Sequence, residues 1–114
     1  MKISQIIQIT EAKLISGEAF IGNEVDKAFA SDLMSDVLTL DTDNILLITG
    51  LINLQTIRTA EMAEIKNILI VRNKKPSEEM IALAKKENIV LLVSEKSMFH
   101  ICGLLFKAKL KPVY

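Results

Sequence analysis

An open α/β fold, with a mostly parallel sheet flanked by helices, is what this sequence predicts, and three observations carry that prediction. Ile45–Ile48, Asn67–Val71 and Ile89–Val93 are short, almost unbroken apolar runs, the pattern of strands buried on both faces. Helix-type segments follow each of them after short connections, an alternation that calls for parallel strands joined by right-handed crossovers. Thr49-Gly50 closes the central run just before a helical pattern. Such a turn sits at the carboxyl end of a strand, where open α/β sheets usually place ligands.

The elements follow in order. Ile3, Ile6 and Ile7 stand at helical spacing, so Met1–Ile9 reads as a short first helix. Ala12–Ser16 reads as a strand closed by Gly17, and a turn at Gly22-Asn23 leads into a second strand, Val25–Ala30. Ser31 or Asp32 then stands where a side-chain oxygen can cap the next helix, whose face is Leu33, Met34, Val37 and Leu38. After the acidic loop Leu40–Asn44 comes the central strand, then a helix carrying Leu54, Ile57, Ala60 and Ala63 along one side. The unit from Asn44 to Ile65 is therefore expected at the middle of the sheet.

Beyond the strand at Asn67–Val71, a polar loop (Arg72–Lys75) and Pro76 precede a helix with both ends marked. Ser77 is its cap, Glu78 and Glu79 lie in its first turn, and Lys85 and Lys86 lie in its last turn, each charge complementing the helix dipole. Its buried face is Met80, Leu83 and Ala84. Ser97 caps a last helix to about Lys107 that is apolar almost all round, with His100, Gly103 and Lys107 as its only polar line. Such a helix either sits deep in the core or covers its exposed side in a subunit interface. Met98, Ile101 and Leu105 are the candidate interface residues, and the tail from Lys109 is expected to be extended.

With 114 residues the chain is expected to form one domain, residues 1–114. Fourteen basic side chains balance fourteen acidic ones and aromatics are few, so neither a basic footprint nor a base-stacking platform for nucleic acid is present. The single cysteine, Cys102, excludes an intramolecular disulfide and a multi-cysteine metal site. No apolar run reaches the length of a membrane span, and the first residues do not have the form of a signal peptide. The expected compartment is cytoplasmic, with no membrane partner.

Candidate chemistry is sparse. No phosphate loop of the G-x-x-x-x-G-K-[ST] type occurs, and Gly50 stands alone where a dinucleotide fingerprint needs three glycines. Asp36, Asp41 and Asp43 lack the spacing of a calcium loop and read as solvated loop residues. His100 and Cys102 lie two apart on a helix and point in different directions, so they form no dyad. No nucleophile, base and orienter can be assembled. The expectation is no catalytic residue, no metal and no cofactor. Lys74 and Lys75 follow their strand at the sheet edge that also carries Thr49-Gly50, and with Arg58 they could attract a phosphate.

Four stretches together carry a family likeness. They are A-S-D-L-M-S-D-V-L (Ala30–Leu38), L-L-I-T-G-L (Leu46–Leu51), the strand and helix within Asn67–Val93, and the S-M-F-H-I start of the last helix. In their order and spacing the chain resembles the DRTGG domain along essentially its whole length. The resemblance implies a compact α/β domain like the N-terminal domain of HPr kinase/phosphorylase. Domains of this family stand beside CBS domains in some inorganic pyrophosphatases, and in certain phosphotransacetylases, as accessory and often dimer-forming regulatory modules. What it implies here is a non-enzymatic regulatory or adaptor role, as a homodimer with an unidentified protein partner. The chain departs from the family pattern at two places. No Asp-Arg follows Thr49-Gly50-Leu51, and Arg72-Asn73-Lys74 stands where a Thr-Gly-Gly is expected. Asp32 is the junction acid that matches. The alternative expectation is a sensor of a phosphate-bearing small molecule such as an adenine nucleotide, bound among Asp32, Thr49, Gly50, Arg72 and Lys74.

Overall fold

Five-residue and four-residue apolar runs become the buried strands β3 (Ile45–Thr49), β4 (Asn67–Ile70) and β5 (Val90–Val93) in a computed structural model that describes residues 1–114. Together with β1 (Lys13–Ser16), β2 (Lys27–Ala30) and β6 (Lys111–Pro112) they form one six-stranded sheet in the order β1-β5-β4-β3-β2-β6. Every pairing is parallel except that of β1 with β5. The Asn44–Ile65 unit thus supplies a central strand, as expected, and the C-terminal tail joins the sheet as a short edge strand.

The helices are α1 (Ile3–Thr10), α2 (Met34–Val37), α3 (Leu54–Met62), α4 (Glu78–Lys86) and α5 (Met98–Lys107). Alternate residues of each strand face opposite layers, as the pleat requires. Leu46, Ile48, Leu69, Val90 and Leu92 pack with Ile3, Ile6, Ile101 and Leu105 of α1 and α5. Ile45, Leu47, Ile68, Ile70 and Leu91 pack with Met34, Val37, Ile57, Ala60, Met80 and Ala84 of α2, α3 and α4. Because each strand feeds both layers, it carries no polar alternation.

Two expectations are corrected. Neither Ser31 nor Asp32 caps α2: the capping position is Leu33, without a side-chain bond, and α2 is a single turn. Ser31 instead closes a local turn by accepting from Leu33 N, while the Asp32 carboxylate is drawn across to β3. The second correction concerns α5. Ile101 and Leu105 are buried inside the monomer, and Met98 is half-buried against the same core, so the two largest proposed contacts are already used within one chain. The outward apolar residues of α5 are Phe99, 89% exposed, and Phe106, 68% exposed. The expected apolar helix is therefore partly core and partly surface, and the surface part carries different residues.

Candidate ligand-binding site

Parallel register decides which side chains meet at the carboxyl edge of the sheet. Ala30 pairs with Ile48, so two residues farther on Asp32 faces Gly50. Thr49 pairs with Ile70, which brings Arg72 up on the other side. The Asp32 Oδ1 accepts from the Gly50 backbone N at 2.7 Å and from Thr49 Oγ1 at 3.0 Å. Its Oδ2 accepts from Arg72 Nη2 at 3.0 Å. The Gly50 N–H, against the opposing effect of burial, and then Thr49 and Arg72 hold the Asp32 carboxyl below its ordinary value of 3.8.

The Arg72 side chain also bears on position 50. A methyl group there would overlap the Arg72 guanidinium, which lies directly over the Gly50 backbone. The N–H that a phosphate would use is already given to the Asp32 carboxylate. The first turn of α3 is closed as well, since Asn53 Oδ1 accepts from Thr56 N at 3.1 Å and Thr56 Oγ1 donates to Leu51 O at 2.8 Å.

Arg72 and Asn73 have φ of +66° and +56°, the left-handed region that glycine enters most easily. The chain therefore takes this backbone path at the position of the missing glycine pair, using an arginine and an asparagine. Its purpose is visible in the hydrogen bonds. Arg72 N donates to Lys96 O at 2.8 Å and Asn73 N donates to Ser94 O at 3.0 Å, which ties the loop after β4 to the loop after β5.

Beside this tie opens a groove of about 690 Å³. Lys13, Lys74, Lys75 and Lys96 line it with Glu11 and Glu95, and Ile15, Ile81 and Val93 form its apolar wall. Lys96 Nζ lies 3.2 Å from Glu11 Oε1. The expected ligand set is thus divided: Asp32, Thr49, Gly50 and Arg72 bind one another, while Lys74 lines the separate groove. Arg58 lies exposed on α3 and is absent from the groove wall. Lys96 was missed by sequence reasoning although it follows β5 much as Lys74 follows β4. Lys13 had no sequence signal, because its place depends on the antiparallel pairing of β1 with β5.

Elsewhere the chemistry stays bland. His100 is exposed and its backbone N donates to the Ser97 cap. Burial pushes the Cys102 thiol up from its ordinary value, which makes it a poorer nucleophile. No group of three His, Cys, Asp or Glu side chains is placed to hold a metal ion. No helix is long and apolar enough to cross a membrane.

No protein-family model matches the sequence, and no curated protein does. Among solved structures the chain is similar to the regulatory region of Clostridium perfringens pyrophosphatase, comprising CBS and DRTGG domains, in complex with the activator diadenosine tetraphosphate. The TM-score is 0.73 at 21% identity over 98% of this chain. The chain spans about half of that structure, 48% of its length. The likeness is one of fold: a mostly parallel α/β sheet of the kind found in that CBS–DRTGG region.

Proposed function

We propose that this chain is a non-catalytic, DRTGG-type regulatory or adaptor domain that acts as a homodimer and binds a protein partner. One observation carries the reading: nearly the whole chain shares its fold with an enzyme's regulatory region. Two features agree with it. The polar cluster around Asp32 is satisfied by its own members and leaves no free nucleophile or base there. On α5, Phe99 and Phe106 present apolar area that a second chain would remove from water. The test is sedimentation velocity at micromolar concentration on the wild type and on Phe99→Glu/Phe106→Glu. The reading expects a dimer for the first and a folded monomer for the second.

A second reading is a sensor of a phosphate-bearing small molecule such as an adenine nucleotide. The observation in its favour is the groove beside Lys74, nucleotide-sized and carrying four lysines against two glutamates. The related regulatory region holds a dinucleotide activator. Ligands that bind only the folded state raise the melting temperature by mass action, so a thermal-shift panel of adenine nucleotides at millimolar concentration tests it. A flat panel would remove this reading and leave the first in place.

A further inference from the structure

The two loops that frame the lysine groove leave the sheet in opposite directions. After β4 the chain turns into α4, which packs on the layer of Met80 and Ala84; after β5 it turns into α5, which packs on the opposite layer with Ile101 and Leu105. β4 and β5 are neighbours and parallel. Adjacent parallel strands whose outgoing connections diverge to opposite faces leave a crevice at their carboxyl ends, and open α/β sheets bind ligands there. The groove is lined by Asn73–Pro76 from one loop and Ser94–Lys96 from the other. It therefore lies at the topological switch point of this sheet. The Asp32–Gly50 cluster does not, since β3 and β4 both send their chains to the same layer through α3 and α4.

Resting on the sensor reading, we infer that this switch-point groove, and not the Asp32–Thr49–Gly50–Arg72 cluster, is the binding site for a nucleotide-sized, phosphate-bearing small molecule. Lys74, Lys75, Lys13 and Lys96 come from three separate segments and converge on one cavity, a placement suited to phosphate oxygens. Glu11 is already paired with Lys96, so three lysines face the cavity without a close carboxylate partner among the ion pairs formed. Ile15, Ile81 and Val93 give one wall an apolar face for the non-phosphate part of the ligand. The left-handed Arg72-Asn73 tie fixes the distance between the two loops, so the lysines are presented from a closed frame rather than from two free loops.

The experiment is a titration of uniformly ¹⁵N-labelled full chain with ATP, AMP and inorganic pyrophosphate, followed by amide shifts. Binding is then measured on Lys74→Glu/Lys75→Glu and on Lys66→Glu, which reverses a single lysine before β4 at the opposite edge of the sheet. The expected result is ATP-dependent shifts at residues 73–75 and 94–96. ATP binding should weaken about tenfold or more in the double variant, the loss of roughly one charge-assisted contact or more, and should stay unchanged in Lys66→Glu. ATP binding with shifts confined to Asp32, Gly50 and Arg72 would overturn the site while leaving the sensor reading intact. So would a folded double variant that binds as tightly as wild type. Pyrophosphate binding as tightly as ATP would overturn the role given to the apolar wall. No shift with any of the three at millimolar concentration would overturn both the site and the sensor reading.

Discussion

Asp32 is the residue on which the carboxyl edge turns, and its effect depends on pH. Its pKa is depressed in the folded state, so its contribution to stability is present above the unfolded value and is lost as pH falls through the folded one. The partners are half-exposed, which limits the ion pair itself to a few tenths of a kcal/mol; the bonds to Gly50 N and Thr49 Oγ1 supply the larger part. Asp32→Ala should cost about 1–2 kcal/mol near neutral pH. In urea unfolding, the gap between variant and wild type should narrow as pH drops below 3.8. Gly50→Ala tests the same contact from beneath. A Cβ there displaces the Arg72 guanidinium, so the substitution should cost about 1 kcal/mol in wild type and close to nothing in Arg72→Ala. Equal costs in both backgrounds would mean that Gly50 is required for some other reason. The sequence marked Asp32, Thr49 and Gly50 as neighbours at a junction but not that they consume one another. That follows from the Ala30–Ile48 register, which no local pattern encodes.

At the scale of the element, the ends of three helices share one device. Glu64, Asn88 and Lys109 take left-handed φ of 59°, 56° and 73°. The next residue of each, Ile65, Ile89 and Leu110, is buried and donates its N–H back to Ala60, Ala84 and Leu105 O, the Schellman arrangement. Only Asn88 is a residue that tolerates this conformation well. Glu64→Gly and Lys109→Gly should each raise stability by up to about 1 kcal/mol in chemical denaturation, while Asn88→Gly should change little. α5 shows the other limit of pattern reading. Its apolar excess was visible, but which side met the core depended on where β5 ends and how α1 packs beside it. Ile101→Ala should cost about 2–5 kcal/mol by opening a core cavity, whereas Phe99→Ala should leave monomer stability nearly unchanged and act on self-association alone.

Across the whole molecule, the layer architecture was the most legible feature, because strands fed from both faces must read as continuous apolar runs. The antiparallel edge strand β1 and the two-residue β6 carried no such signal, and β1 is what closes the lysine groove with Lys13. Fold and site thus part company. Local sequence sets the strands and helices, whereas the site depends on which neighbouring strands send their chains to opposite faces. Among the apolar side chains left outside the core, Phe99 and Phe106 lie on one helix, α5. A regulatory domain that works through self-association should use it. Sedimentation velocity of the full chain across the micromolar range tests that claim most directly. The account predicts a dimer that Phe99→Glu/Phe106→Glu converts to a folded monomer; a wild-type chain that stays monomeric throughout would contradict it.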